Sequence, residues 1–316
     1  MPDSADPAYA IRARSLRKTY DGDPPKEALK GIDLDVPRGS IFGLLGPNGA
    51  GKSTFINILA GLVNKTSGDV EIWGHDIDTM RRAASSAIGI VPQELVIDPF
   101  FTPRETLEIQ AGFYGVTKAQ RRTDEILDAL DLTEHADAYT RRLSGGMRRR
   151  LMVAKAMVHG PDVLILDEPT AGVDVELRTR LWDHVRTLNK AGTTVVLTTH
   201  YLEEAEEMCD RIAIVNHGEV VACDATESLL SRLDHKELAL IVAHDLDAVP
   251  AALKSFGAEL SSPRRLVVRY RPSETRIAEI LDAVDQAGLD VADLSTHEPD
   301  LEDLFLDITR AEPKGS

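Results

Sequence analysis

Three short segments contain residues that could bind phosphate or act on it. They are a glycine-rich loop with a lysine, an apolar run that ends in two adjacent acids, and a short segment with two adjacent glycines. The first, GPNGAGKST, spans Gly46 to Thr54 and matches the pattern G-x-x-x-x-G-K-[ST] of phosphate-binding loops. Glycine lets backbone N–H groups approach phosphate closely, and Lys52 would neutralise the β- and γ-phosphates of a nucleotide. The residues predicted to bind the nucleotide in this phosphate loop are Gly46, Pro47, Asn48, Gly49, Ala50, Gly51, Lys52, Ser53 and Thr54.

Two adjacent acids, Asp167 and Glu168, follow the apolar run Val163 to Leu166. This run is typical of a buried parallel strand, so both carboxylates should emerge at its carboxyl end, beside the phosphate loop. Asp167 could hold Mg²⁺, directly or through water, with the Ser53 hydroxyl as a second oxygen ligand. Glu168 could polarise an attacking water and accept its proton. The alternative is that both acids are ordinary solvated surface groups. The apolar strand before them disfavours this, because acids at its end would otherwise be buried without a partner.

Gln93 and His200 also follow strand-like runs, in IGIVPQE and TTVVLTTH. Polar residues at these positions would emerge at the same edge of the sheet as the acids. The amide of Gln93 could reach the metal or the water, although a glutamine at a strand end is weak evidence by itself. We predict catalytic roles for Glu168, His200, Gln93 and Lys52, and metal ligation by Ser53, Gln93 and Asp167.

The elements around the phosphate loop follow from hydrophobic spacing. The run Ile41 to Leu45 predicts a buried strand before the loop, and Phe55, Ile58, Leu59 and Leu62 recur at helical spacing after it. Strand, glycine-rich loop and helix in this order place the start of the helix at the phosphates.

The segment LSGGM, Leu143 to Met147, is called the signature segment here. Together with the phosphate loop and the paired acids, it makes the chain resemble the nucleotide-binding subunit of an ATP-binding-cassette (ABC) transporter, over about Ile11 to Leu233. The resemblance implies that ATP and Mg²⁺ are bound, that Tyr20 stacks on adenine and that Asp174 belongs to the D-loop. For Tyr20, a partly buried place in the sheet is the alternative reading.

The resemblance also implies how the signature segment works. Ser144, Gly145 and Gly146 would start a helix and cap the γ-phosphate of an ATP held by a second copy of the chain. Two ATP molecules would then be buried between head-to-tail subunits. Met147 stands where the family often has glutamine, and Val173 where leucine is usual, but neither position supplies a reacting group.

Composition narrows the setting. The 316 residues carry a formal net charge of −16, which disfavours a dedicated nucleic-acid binder. Two arginine runs, Arg141-Arg142 and Arg148 to Arg150, suit a structural or dimer-interface role, with nucleic-acid or lipid contact as the alternative.

No apolar run approaches the roughly 20 residues of a membrane helix. The start does not look like a signal peptide, and Cys209 and Cys223 fit no metal or redox spacing, so a cytoplasmic subunit is expected.

We predict an α/β fold: a P-loop ATPase of the ABC type, with a mixed sheet core and a helical subdomain, followed by a small α+β domain. The alternation of three strands with three helices after the cassette, with a turn at Ser261 to Pro263, indicates a ferredoxin-like arrangement. The predicted boundaries are a flexible start at 1–10, the cassette at 11–233 with its helical subdomain at about 94–160, the accessory domain at 234–310 and a flexible tail at 311–316.

Two further segments refine the resemblance. His297 to Leu306 and Thr198 to Glu219 resemble ABC-2-type exporter ATPases, including the daunorubicin-resistance group. This implies a subunit that powers a separate ABC-2-type membrane permease from the cytoplasmic face of the cell membrane. Glu94 to Thr102, with Pro99, Phe100 and Phe101, would be the apolar contact, unless it is ordinary loop packing.

A cytosolic ABC ATPase acting on ribosomes or nucleic acid is the alternative function. Such proteins usually fuse two cassettes or carry long coiled coils, whereas this chain has one phosphate loop and no sustained heptads. A kinase-like phosphotransferase, a third class, is contradicted by LSGGM.

Overall fold

The structure is a computed structural model that describes residues 8–94, 96–171, 175–231, 236–297 and 300–310. The chain divides into two compact units, one up to Ala225 and one from Thr226. The predicted boundary between Leu233 and Asp234 lies outside the described residues, as do 1–7 and 311–316 of the predicted flexible ends. The first strand begins at Tyr9, ahead of the predicted start of the cassette at Ile11.

The first unit alternates strands and helices. Its strands are β1 (Tyr9–Tyr20), β2 (Lys26–Pro37), β3 (Ile41–Leu45), β4 (Ser67–Ile72), β5 (His75–Asp76), β6 (Ile88–Val91), β7 (Val163–Asp167), β8 (Thr194–Thr198), β9 (Arg211–Asn216) and β10 (Glu219–Ala225). Its α-helices are α1 (Lys52–Leu59), α2 (Arg81–Ser86), α3 (Pro103–Phe113), α4 (Thr123–Ala129), α5 (Gly145–Met157), α6 (Val175–Lys190) and α7 (Leu202–Met208).

The strands form two sheets, and one of them arranges the predicted chemistry. The order β10-β9-β3-β8-β7-β6 makes a six-stranded sheet in which β9, β3, β8, β7 and β6 are parallel and β10 is antiparallel. The second sheet, β2-β1-β4-β5, is antiparallel. Because β3, β8, β7 and β6 are neighbours, their carboxyl ends meet at one edge. The predicted mixed-sheet P-loop fold is confirmed.

Helix α1 is held by a core that both sheets share. Phe55 is 2% exposed and Ile58 1%, and they cluster with Leu16 of β1, Phe42 of β3 and Val196 of β8. Burial of each such large apolar side chain contributes about 1.5–3 kcal/mol, so the start of α1 is firmly anchored.

The segment between β6 and β7 is helical, as its spacing predicts. It contains α3, α4 and α5 with three short 3₁₀ turns, Lys118–Gln120, Thr133–His135 and Thr140–Arg142. Thr102 begins α3 with a reciprocal capping box to Glu105. In the described ranges, no helix combines the length and the apolar character that crossing a membrane requires.

The second unit has the strand and helix order of a ferredoxin-like fold. Its elements are α8 (Thr226–Leu230), β11 (Lys236–Val242), α9 (Ala251–Lys254), β12 (Glu259–Ser262), β13 (Arg265–Tyr270), α10 (Ile277–Gln286), β14 (Val291–His297) and α11 (Leu301–Arg310). The sheet is antiparallel with the order β12-β13-β11-β14, and its core includes Leu240, Leu266 and Ile280.

Two details of the second unit differ from the sequence prediction. Strand β12 was not predicted, because it is a four-residue edge strand of the sequence ELSS whose side chains are mostly exposed. Ser261 and Ser262, predicted as part of a turn, belong to this strand. The predicted helix in AVPAALKSF is reduced to the four residues of α9.

Candidate functional site

The phosphate loop connects β3 to α1 and lies tightly against its neighbours. Gly46 has φ 154°, and a Cβ there would lie 2.1 Å from the carbonyl oxygen of Val215 on β9. Gly51 has φ 112°, and a Cβ there would lie 2.7 Å from the Ala28 carbonyl oxygen. Side chains at either position would clash, so the close approach of this backbone requires glycine.

Lys52, the first residue of α1, bends back over the loop. Its Nζ donates to the carbonyl oxygens of Gly46 at 2.5 Å and Pro47 at 3.1 Å, and the residue is only 8% exposed. Burial lowers the pKa of the ammonium group, while the nearby carboxylates of Glu168 and Asp167 act in the opposite direction. The loop therefore encloses a cation that faces two acids.

The two acids are held by the neighbouring strand. The Thr198 hydroxyl, at the end of β8, donates to Asp167 Oδ1 at 2.5 Å. The backbone N–H of Glu168 donates to both the Thr198 hydroxyl, at 3.0 Å, and its carbonyl oxygen, at 3.1 Å. Thr198 thus aligns the ends of β7 and β8, a role that the sequence reasoning missed because the residue lies inside a run of similar threonines.

The Glu168 carboxylate contacts the polar side chains that follow β6 and β8. Gln93 Nε2 donates to Glu168 Oε2 at 2.6 Å, and His200 Nε2 contacts Glu168 Oε1. Glu168 itself has φ 49°, a left-handed conformation that costs a non-glycine residue about 1–3 kcal/mol. The surrounding hydrogen bonds hold it there, so the carboxylate has a defined orientation in which it can accept a proton.

These residues surround a common cavity of about 380 Å³. Its lining includes the predicted residues Tyr20, Asn48, Gly49, Ala50, Gly51, Lys52, Ser53, Thr54, Gln93, Asp167, Glu168 and His200. A larger cavity of about 820 Å³, beside Tyr114 and His159, contains none of the predicted site residues. We place the site in the smaller cavity, because a lysine, hydroxyls and paired acids converge there.

Tyr20 ends β1 at the rim of this cavity. It is 37% exposed, and its hydroxyl lies 3.5 Å from the Thr54 hydroxyl. The Lys18 ammonium sits 4.7 Å from the centre of the Tyr20 ring. The ring therefore offers a partly exposed face next to the phosphate loop.

The signature segment lies apart from this cavity. Ser144 is the N-cap of α5, and its hydroxyl accepts a hydrogen bond from the Met147 N–H at 3.2 Å. Ser144 and Gly145 are exposed and Gly146 is half-buried, and none of the three belongs to the described lining of the 380 Å³ cavity. The helix start therefore presents its N–H groups outward. Asp174, the predicted D-loop residue, lies outside the described residues.

Two buried charged residues lie behind the site. A structural or dimer-interface role is expected for the run Arg148 to Arg150, but the burial and the contacts of Arg149 were not predicted, and neither was a role for Glu204. Arg149 is 4% exposed and donates to backbone carbonyls of both the Gln93 and the Glu168 segments. Glu204, 6% exposed, accepts hydrogen bonds from the hydroxyls of Thr170 at 2.9 Å and Thr199 at 2.8 Å. Residue type gives no signal for either, because both residue types are usually exposed.

The fold and the site together define a P-loop ATPase. The model of the ABC transporter family matches residues 29–171. The chain is 38% identical to a daunorubicin resistance ATP-binding protein, DrrA3, of Streptomyces coeruleorubidus, over 95% of this chain and 96% of that one. It is 36% identical to the linearmycin resistance ATP-binding protein LnrL of Bacillus subtilis, over 95% and 98% of the two chains.

A third relative, the Nod factor export ATP-binding protein I of Paraburkholderia xenovorans, is 38% identical over 97% of this chain and 99% of that one. Among solved structures, the ATP-binding cassette MJ0796, a dimer bound to ADP and Pi, superposes with a TM-score of 0.63. It is 28% identical over 68% of this chain and 98% of that one.

The chain belongs to the ABC transporter family, in the group of the daunorubicin-resistance-like ATP-binding proteins. It is an ATP-binding protein whose hydrolysis of ATP is coupled to transport.

Proposed function

We propose that the chain is the ATP-hydrolysing subunit of an exporter and that it powers a separate ABC-2-type permease. The observation that carries the ATP-hydrolysing role is the cluster of Gln93, Glu168 and His200 next to Lys52 of the phosphate loop. Resistance and export in the names of its relatives favour outward transport. We place the subunit on the cytoplasmic face of the cell membrane, held there by the permease.

In this proposal Glu168 is the general base and His200 and Gln93 orient it and the attacking water. The Glu168 carboxylate contacts both of the other side chains and is 12% exposed, which limits competition from bulk water. Lys52 and the phosphate loop bind the phosphates of ATP. Tyr20, at the rim of the cavity, stacks on adenine, as its exposed ring permits.

Mg²⁺ fits the donors that line the cavity. Ser53, Gln93 and Asp167 supply a hydroxyl, an amide oxygen and a carboxylate, the hard oxygen ligands that Mg²⁺ prefers. Across the described part of the chain, no group of three or more His, Cys, Asp or Glu side chains comes together as a metal site. A magnesium ion would therefore share its coordination between these residues, water and ATP, and it would neutralise charge on the phosphates.

Two copies of the chain would close around two ATP molecules. Ser144, Gly145 and Gly146 start α5 on the surface, away from the cavity of their own chain, where they can cap a γ-phosphate held by a second copy. Asp174 would contribute to the same interface. The dimeric ATP-binding cassette among the similar structures supports this arrangement.

Mixed dimers test the head-to-tail arrangement. Ser144→Asp keeps an oxygen that can cap α5 but places a negative charge against the γ-phosphate, so the homodimer should hydrolyse ATP poorly. Mixing it with Glu168→Gln chains should restore hydrolysis, because one of the two composite sites then has both groups intact. Steady-state ATPase rates measured across mixing ratios show this. Ser144→Asn, a capping residue without the charge, is the control, and a flat response to mixing would contradict the arrangement.

A second surface suits the membrane partner. A cavity of about 310 Å³ lies next to the Gln93 segment, and its lining includes Leu62, Pro92, Val96 and Met152. Leu62 is 78% exposed and Val96 63%, and Phe100, four residues further along, is 69% exposed. Leu62 and Val96 line the same cavity, and contiguous exposed apolar surface of this kind is typical of docking sites. We propose that an apolar cytoplasmic segment of the permease docks here, where its movement can reach Gln93.

Capture of the partner tests the exporter assignment. Tagged Glu168→Gln protein with ATP should co-purify a multi-span membrane protein in stoichiometric amount from detergent-solubilised membranes of the host. Phe100→Asp in the same background should lose that protein while still binding ATP. Val221→Asp is the matched control, since Val221 is 44% exposed on β10, at the opposite edge of the sheet from β6. Recovery of ribosomes or nucleic acid, with nothing from membranes, would overturn the assignment.

A further inference from the structure

Arg149 of helix α5 contacts both the segment of Gln93 and the segment of Glu168, which we call the catalytic segments. Arg149 Nη1 donates to the carbonyl oxygens of Pro92 at 2.9 Å and Gln93 at 3.0 Å. Its Nη2 donates to the Glu168 carbonyl oxygen at 2.6 Å, and its Nε donates to that of Pro169 at 2.9 Å. Four of the five guanidinium N–H groups are therefore used on the backbone of two segments that are far apart in the chain.

The residues that Arg149 binds are the ones whose side chains meet in the site. Gln93 donates to the Glu168 carboxylate at 2.6 Å, and this contact requires the two backbones to lie at a fixed separation. Glu168 is also held in a left-handed conformation, with its N–H bound by Thr198 on one side. Arg149 holds the carbonyl on the other side, so without it the Glu168 backbone could relax and turn its carboxylate away.

Arginine is the side chain whose shape suits hydrogen bonds to two backbone segments at once. Its guanidinium is a rigid planar fork that can address several acceptors at once, whereas lysine has one nitrogen on a flexible stem. Burial lowers the pKa of Arg149, and the nearby Asp167 and Glu168 act in the opposite direction. The group remains a cation, since arginine is not deprotonated in proteins.

We propose that Arg149 is a positioning residue for ATP hydrolysis, which fixes the backbones of Gln93 and Glu168 and ties their geometry to α5. This inference rests on the proposed function, in which Glu168 activates water and the start of α5 contacts the ATP of a second copy. A shift of α5 on contact with that ATP is then transmitted by one side chain to the general base of the same chain.

The test compares Arg149→Lys and Arg149→Gln with the wild-type chain. We expect kcat to fall about 10- to 100-fold, the scale of a small misplacement of catalytic groups, with the ATP dissociation constant unchanged. Arg150→Lys is the matched control. Arg150 lies on the same helix and donates to the carbonyls of Leu130 at 2.9 Å and Asp131 at 3.0 Å, away from the catalytic segments. Its variant should keep kcat near that of the wild type.

A double-mutant cycle separates positioning from general destabilisation. If Arg149 acts through Glu168, Arg149→Lys should have little further effect on kcat once Glu168→Gln is present. A full additional loss in that background, an unchanged kcat in Arg149→Lys, or an equal loss in Arg150→Lys would overturn the inference. Loss of ATP binding by both Arg149 variants would also overturn it, because Arg149 would then act in folding. Normal turnover by Glu168→Gln alone would instead remove the proposed function together with the inference.

Discussion

Glu168→Gln is expected to keep ATP binding and to slow hydrolysis by about 10²- to 10⁴-fold, the usual loss when a general base is removed. The amide cannot accept the proton of the attacking water. It also has one acceptor oxygen in place of two, so it cannot accept hydrogen bonds from Gln93 and His200 on two separate oxygens. The backbone stays in place, because Thr198 and Arg149 form hydrogen bonds with the main-chain N–H and carbonyl groups of Glu168, which the substitution does not change.

Single-turnover hydrolysis and size-exclusion chromatography with ATP measure this prediction. The variant should accumulate as an ATP-bound dimer, because closure on ATP no longer leads to hydrolysis and release. Glu203→Gln is the control, since Glu203 is exposed on α7 and makes the same change of charge close to His200 in sequence. Normal turnover by Glu168→Gln would show that another group activates the water.

Lys52→Ala is expected to abolish measurable ATP binding. Hydrogen bonds to charged groups contribute about 1.5–3 kcal/mol each, and every 1.4 kcal/mol corresponds to about a tenfold change in affinity. In the proposed site, Lys52 contacts two phosphates of ATP. Its loss would also release the carbonyls of Gly46 and Pro47, which it now binds within the loop.

Equilibrium binding of a fluorescent ATP analogue tests this prediction directly. The exposed Lys118, in a 3₁₀ turn of the helical segment, is a suitable control, and Lys118→Ala should bind as the wild type does. A circular-dichroism melt of Lys52→Ala distinguishes lost affinity from lost folding. Retained affinity in a folded Lys52→Ala chain would show that the phosphate loop does not bind phosphate through this lysine.

The local elements of the site could be predicted because their signals lie within a few residues. The strand at Ile41 to Leu45, the start of α5 at Ser144 and the strand ending at Asp167 each follow from apolar spacing or a capping residue. Strand β12 was missed, because ELSS has neither an apolar alternation nor strong strand formers. Its pairing with β13 becomes visible only when the partner strand is in place.

The amino-acid sequence by itself determined which groups can do the chemistry, since the phosphate loop, the paired acids and the signature segment are patterns within single stretches of chain. Only the tertiary structure decided which of three consecutive arginines is buried, and that Gln93 meets Glu168 across 75 residues of sequence. The physical reason is that backbone geometry sets spacing along one element, whereas contacts between elements depend on the order of strands in the sheet. Placing β6, β7 and β8 side by side brings their polar ends together, and a residue such as Arg149 then finds its acceptors there.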